Sequence, residues 1–248
     1  MDKFRLDGKI AAVTGCNKGM GKAIAIALAE AGANIIGINR TEAVELKKEM
    51  SERGFKYDEI SFDLSNTEGI SEMTEKAISF YGRVDILVNN AGIIRIEKAE
   101  DFKISDYDDV MEVNAKSVFL LSQAFGRHMI DNSFGKIINT SSIHGIGGGF
   151  ECISYTASKH AVVGITKALS NEWASKGINV NAIAPGYTIT DNTKGLRDNT
   201  EITDQITETI PIRRWAKPED IAPVVVFLAS PASDYITGQL IVIDGGLN

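Results

Sequence analysis

Short runs rich in Ile, Val and Ala recur along the chain, each followed by a longer stretch in which apolar positions return at intervals of three and four. Ile10 to Thr14, Ile35 to Asn39, Glu59 to Asp63, Ile86 to Asn89, Lys136 to Thr140, Asn179 to Ala184 and Gln239 to Ile243 read as strands. Helical periodicity covers Ile24 to Ala31, Glu42 to Arg53, Thr67 to Tyr81, Ser105 to Asn132, Tyr155 to Lys176 and Pro218 to Leu228. The last of these opens on a proline, whose missing N–H costs nothing in a first turn. Apolar strands alternating with amphipathic helices predict parallel strands joined by crossovers. The expected fold is an α/β, doubly wound parallel sheet of about seven strands with helices on both faces.

A chain of 248 residues with 44% hydrophobic content supports one sizeable core, so a single domain over residues 1–248 is expected. The stretch from about 188 to 211 is polar, with Asp191-Asn192-Thr193 and Asp198-Asn199-Thr200 as cap signals, and reads as a substrate lid of one or two short helices. A net charge of −7 argues against nucleic acid or an anionic membrane as partner and leaves a small polar molecule. Met1 to Leu6 lacks the apolar core of a signal peptide, and runs such as Val224 to Ala229 are too short to span a bilayer; a cytoplasmic protein is expected. Cys16 and Cys152 read as free thiols, and the spacing of His128, His144 and His160 gives no support for a metal site.

Between the first strand and the first helix stands Thr14-Gly15-Cys16-Asn17-Lys18-Gly19-Met20-Gly21. Glycines let a backbone turn tightly against an anion, and a helix N-terminus offers free N–H groups and partial positive charge. This strand–turn–helix context makes the fold Rossmann-type and the turn a pyrophosphate cradle, with Gly15, Asn17, Lys18, Gly19, Met20 and Gly21 as cofactor contacts. At the end of the second strand, where an acidic residue receives the ribose hydroxyls of NAD, the chain has Asn39 and Arg40. With no carboxylate to repel a phosphate, and with Arg40 and Lys18 able to pair with one, NADP is permitted. Arg40 reads equally as a solvated loop residue or an adenine stacker. Asp63, followed by Leu64, is placed either to accept from the adenine amine or to hold a turn.

Tyr155 and Lys159 are one helical turn apart, with Ser142 upstream. A phenol is a poor base near neutrality, and a neighbouring cation favours its phenolate. Tyr155 can then exchange a proton with a substrate oxygen that Ser142 holds by hydrogen bonding, which is alcohol or ketone chemistry.

Taken together, Thr14 to Gly21, Asn89-Asn90-Ala91-Gly92, Asn114, Ser142, Tyr155-x-x-x-Lys159, Pro185-Gly186 and Asp244-Gly245-Gly246 resemble the short-chain dehydrogenase/reductase family over essentially the whole chain. The resemblance implies Tyr155 as general acid/base, Lys159 as its partner and the holder of the nicotinamide ribose, Ser142 orienting the substrate oxygen, and Asn114 supporting a proton relay to Lys159. It also implies cofactor contacts at Asn90, Ala91, Gly92, Tyr155, Lys159, Pro185, Gly186 and Thr188, and a homotetramer. Gly37-Ile38-Asn39, Gly92-Ile93-Ile94-Arg95, Asp191-Asn192-Thr193 and Arg214-Trp215 resemble the sugar-acid branch of that family, for which NAD is the usual cofactor.

For a sugar acid, Arg95 or Arg214 would receive the carboxylate, or either would instead bridge to a neighbouring acid, with His144 and Tyr187 as further candidate contacts. The loop Ile143 to Ile153 departs from the family pattern and brings Glu151, a carboxylate where an anionic substrate would otherwise be received. Three readings stay open: a sugar-acid dehydrogenase, a reductase of another small polar ketone or of a 3-oxoacyl thioester, and a nucleotide-binding regulatory protein without catalysis.

Overall fold

The computed structural model describes residues 2–248. In chain order the elements are β1 (Ile10–Thr14), α1 (Gly19–Glu30), β2 (Asn34–Asn39), α2 (Val44–Glu52), β3 (Tyr57–Ser61), α3 (Ile70–Tyr81), β4 (Ile86–Asn89), α4 (Ile104–Met111) and α5 (Ser117–Asp131). There follow β5 (Gly135–Thr140), α6 (Ile153–Trp173), β6 (Ile178–Pro185), α7 (Lys194–Arg197), α8 (Thr200–Thr209), α9 (Pro218–Ala229) and β7 (Leu240–Ile243). The seven strands form one sheet in the order β3-β2-β1-β4-β5-β6-β7, every adjacent pair parallel.

Both faces of the sheet are covered, which is why its strands read as continuous apolar runs. Successive residues face opposite cores. Ile35, Ile86 and Val88 pack with Ile24 and Leu28 of α1 and Ile221 and Val225 of α9. Ile36, Leu87 and Ile137 pack with Met73 of α3, Phe125 of α5 and Leu169 of α6. Strand order reverses between β1 and β4, and a crevice therefore opens beyond their C-terminal ends, where ligands of such sheets bind.

Three elements differ from the sequence reading in ways that move site residues. The third strand ends at Ser61, so Asp63 lies in the following turn and not on the strand. The helix expected from Ser105 to Asn132 is broken by a π turn at Glu112–Lys116, one residue wider than an α turn, and this turn carries Asn114. The helix expected to begin at Tyr155 begins at Ile153, which sets Tyr155 within its first turn. The polar stretch after Thr188 folds into α7 and α8. Among the described residues no helix is long and apolar enough to cross a membrane.

Candidate active site

A cavity of about 580 Å³ occupies the crevice, within the usual size range of ligand pockets. Gly15, Asn17, Lys18, Gly19, Met20 and Gly21 form one wall, Arg40, Asp63 and Leu64 another, and Asn90, Ala91 and Gly92 the inner end. Gly15 has φ +64°, a conformation few side chains tolerate, and a Cβ on Gly21 would lie 2.1 Å from the Gly15 carbonyl oxygen. The turn can therefore close on α1 only with glycine at both positions. Thr14 Oγ1 accepts from the backbone N–H groups of Asn90 and Ala91, each at 3.0 Å, and locks the two walls together.

The first turn of α1 has no side-chain cap and no acidic residue, leaving its N–H groups directed at the wall of the cavity as an anion site. Asn90 Oδ1 is buried without a hydrogen-bond partner among the described residues, an acceptor beside the space where a ribose would lie. Arg40 is exposed on the wall, with no ion-pair partner among the described residues. These features fit an NAD(P)-type group.

Several expected cofactor contacts behave differently. Asn39 is buried and turned inward; its Oδ1 accepts from the Cys16 N–H at 2.7 Å and its amide donates to Glu59 at 2.8 Å, so it does not line the cavity. Lys18 lines the cavity, and its ammonium meets Asp191 at 2.5 Å in an exposed pair across the mouth of the cleft. Asp63 holds a turn through Oδ1, which accepts from Ser65 N and Oγ, and these bonds pull its carboxyl below the usual range. Pro185, Gly186 and Thr188 lie beyond the cavity wall, with Thr188 buried and donating to the Gly186 carbonyl.

The inner end of the cavity abuts the candidate acid/base group. A Cβ on Gly92 would lie 3.2 Å from Asn114 Oδ1 and 3.6 Å from Lys159 Nζ. Asn114, buried in the π turn, accepts from Ile93 N at 2.8 Å and donates to Ile93 O at 2.8 Å and to Ser158 Oγ at 3.2 Å. Ser158 in turn donates to the Tyr155 carbonyl at 2.7 Å. Lys159 Nζ donates to the Thr140 carbonyl at 2.7 Å, and Ser142, at the end of β5, accepts from His144 N at 3.2 Å. Thr140 and Ser158 escaped the sequence reading, Ser158 because it fills an unspecified position between Tyr155 and Lys159, and Thr140 because it acts through a carbonyl that any residue type carries.

The electrostatics correct one expectation. Burial raises the Tyr155 phenol above its ordinary pKa; the Ser142 hydroxyl pulls the other way, and Cys152 adds to the rise. Burial also pulls Lys159 down to about 8. The ammonium therefore loses its proton before the phenol titrates, and in this state of the protein it does not draw the phenol toward neutrality. Desolvation outweighs the pairing assumed from the spacing.

A sequence model of the family described as enoyl-(acyl carrier protein) reductase matches residues 15–248. The chain belongs to the short-chain dehydrogenase/reductase family. It is 46% identical to the 2-dehydro-3-deoxy-D-gluconate 5-dehydrogenase of Escherichia coli (strain K12), over 99% of this chain and 98% of that one. Among solved structures it resembles a protein of Beutenbergia cavernae described as a proposed NAD(P)-dependent gluconate 5-dehydrogenase with NADP bound at low occupancy (TM-score 0.96, 42% identity, 99% of this chain and 98% of that one). It also resembles a gluconate 5-dehydrogenase of Burkholderia cenocepacia J2315 in complex with NADP and tartrate (TM-score 0.96, 38% identity, 99% and 98% covered).

On the substrate side of this short-chain dehydrogenase/reductase the candidate residues divide. Arg95 lines the cavity; its nearest acids, Asp106 at 3.6 Å and Asp109 at 3.9 Å, are at loose ion-pair distances. His144 stands edge-on to the Tyr155 ring, centroids 6.2 Å apart, and burial lowers its pKa. Glu151 takes a left-handed backbone, φ +54°, and its carbonyl accepts from Glu97 N at 2.8 Å. Tyr187 packs on Trp215, ring centroids 5.2 Å apart, and Trp215 donates to Thr207 of α8 at 3.1 Å. Arg214 is not brought to the cavity: it forms a two-pronged pair with Asp220 at 2.6 and 2.9 Å, at the N-terminus of α9. A carboxylate three residues into that helix claims the guanidinium, the alternative in which Arg214 bridges to a neighbouring acid.

Proposed function

We propose that this short-chain dehydrogenase/reductase interconverts a secondary alcohol and a ketone on a sugar acid of the 2-dehydro-3-deoxy-D-gluconate or gluconate type, with NADP or NAD as cofactor. The observation that carries the reading is that Asn114 and Lys159 lie beside Gly92 at the inner end of a cleft built for a dinucleotide, with the Tyr155 ring 5.4 Å from Lys159 Nζ and Ser142 acting on the Tyr155 phenol. The nicotinamide supplies the hydride acceptor or donor when bound. Gly15, Gly19, Met20 and Gly21 would hold its pyrophosphate, Arg40 would pair with a ribose phosphate, and the unpartnered Asn90 Oδ1 would accept from a cofactor hydroxyl. Arg40 favours NADP, in keeping with the NADP described in the two solved relatives.

In ketone reduction the protonated Tyr155 gives its proton to the carbonyl oxygen, which Ser142 orients by donating a hydrogen bond. In alcohol oxidation Tyr155 takes the hydroxyl proton, and Asn114 and Lys159 hold the path by which that proton leaves. Arg95 receives the substrate carboxylate as a two-pronged partner once Asp106 and Asp109 release it. His144, neutral at physiological pH, contributes one hydrogen bond to a sugar hydroxyl. Thr190, Asp191 and Asn192, which line the cleft, begin a lid over residues 188–211 of a single catalytic domain.

The same reading has this protein working in the cytoplasm as a homotetramer. On α6, Gly164 and Ala168 are exposed beside the half-buried Ala157 and Ala161, a strip narrow enough for a second copy of the helix to approach closely.

The deciding experiment is a panel of sugar acids and their keto forms, with a 3-oxoacyl thioester as comparison, each assayed with NADP and NAD in both directions. Turnover of a sugar acid with Tyr155 intact supports the proposal; turnover of the thioester alone would replace the substrate.

A further inference from the structure

Beneath the adenosine end of the cleft lies a set of polar groups that the proposed chemistry does not use. Glu59 Oε1, on β3, accepts from the Asn39 amide at 2.8 Å and from the Ala43 N–H at 2.9 Å. Asn39 passes the hold onward, because its Oδ1 accepts from Cys16 N in the glycine turn at 2.7 Å. Ala43 stands at the start of α2 and closes the loop that carries Arg40 and Thr41, both on the cavity wall. Tyr57 and Cys16 fill the remaining space, so tightly that a Cβ on Gly37 would lie 2.3 Å from the Tyr57 hydroxyl and 2.9 Å from the Cys16 sulfur. Burial raises both groups, Cys16 to about 11, so each keeps its proton at neutral pH. One carboxylate oxygen thus ties together two loops that belong to different crossovers, and Glu59 itself does not reach the cavity.

We propose that Glu59 is a positioning residue for the adenosine half of the cofactor, holding the glycine turn through Asn39 and the Arg40 loop through Ala43. The proposal rests on the reading of the cleft as a dinucleotide site. Its consequence is a specificity effect at a distance. Arg40 can meet a ribose phosphate only while its loop is held, and the phosphate distinguishes NADP from NAD. The inward turn of Asn39 serves the same end, since the residue that would otherwise face the ribose is occupied in bracing the pyrophosphate turn.

Isothermal titration calorimetry of the full chain with NADP and with NAD reads this without turnover. Glu59→Ala is expected to weaken NADP about tenfold more than NAD, and Glu59→Gln, which keeps an acceptor oxygen in place, to recover most of that difference. In an Arg40→Ala background the extra loss on NADP disappears, because the residue through which Glu59 acts is gone. Equal weakening of the two nucleotides, or none, overturns the proposal. If Glu59→Ala does not fold, Glu59→Gln alone carries the test, since it keeps the side-chain volume and exchanges the carboxylate for a neutral acceptor; a smaller NADP preference than wild type supports the proposal, and unchanged preference overturns it. A wild-type protein that binds neither nucleotide overturns the reading of the cleft, a result distinct from wild-type binding with Glu59 variants unchanged.

Discussion

Lys159 Nζ lies 5.4 Å from the centre of the Tyr155 ring and gives its hydrogen bond to the Thr140 carbonyl, not to the phenol. The two groups are neighbours that burial drives in opposite directions, the phenol upward and the ammonium down to about 8. A lysine 4% exposed with one neutral acceptor carries its charge at a cost, and that cost has a direction in pH. Its pKa is depressed from 10.5 on folding, so the penalty is absent above 10.5 and complete once the pH has fallen through about 8. Lys159→Met should therefore stabilise the protein near neutrality, by about 2 kcal/mol after allowance for the lost hydrogen bond, while removing activity. Urea unfolding near neutrality and again above the ordinary lysine pKa checks this. The gain should shrink at the higher pH, and a destabilised variant near neutrality would count against the account.

The raised Tyr155 phenol sets the pH dependence of the two directions. Protonated at neutral pH, it is ready to serve ketone reduction, whereas alcohol oxidation needs the phenolate. The kcat/KM for oxidation should climb only as the pH approaches the raised phenol pKa, above the ordinary tyrosine value of 10, and that for reduction should fall over the same range. Initial rates in both directions across one buffer series would reveal the crossing, and parallel profiles would contradict it.

Asn114 makes three hydrogen bonds from a fully buried position in the π turn. Asn114→Ala leaves the Ile93 N–H and carbonyl without that partner and cuts the link through Ser158 to the Tyr155 carbonyl. A loss of about 1–3 kcal/mol in stability is expected, together with a drop in kcat larger than any change in cofactor Kd. Urea titration and calorimetry separate the two effects.

Arg214 should behave as a structural residue. Its pair with Asp220, whose carboxyl it holds down to about 2, sits at the start of α9 and is largely exposed. Arg214→Ala should lower Tm slightly and leave the KM for a sugar acid unchanged. The stabilisation from Asp220 is present above the ordinary carboxylate pKa of 3.8 and is lost as the pH falls through about 2, so wild type and variant should converge in stability in strong acid. A large rise in KM would return Arg214 to the substrate.

The seven-stranded parallel sheet and the glycine turn were legible because each depends on local pattern. Continuous apolar runs such as Ile86–Asn89 betray strands covered on both faces, and the spacing Gly15, Gly19, Gly21 betrays a backbone that must approach both itself and an anion. Side-chain direction was not legible. Asn39 stands at the place in sequence where a ribose contact belongs, yet the Cys16 N–H and Glu59, from two other segments, turn it inward. Lys18 and Arg214 had the right charge and position for a ligand, and each meets an acid, Asp191 distant in sequence and Asp220 six residues on in the first turn of α9. The π turn that carries Asn114 leaves no composition signal, because its sequence, Glu112–Lys116, continues the helical pattern on either side.

The central claim is that Tyr155 is the acid/base group at the end of a dinucleotide cleft. Tyr155→Phe keeps the ring and its packing and removes only the hydroxyl. Measured on one preparation, NADP affinity by calorimetry and turnover of a sugar acid by the absorbance of the reduced nicotinamide should separate, with binding close to wild type and kcat lower by at least about 10²-fold. Retention of near wild-type kcat with intact binding would contradict the account.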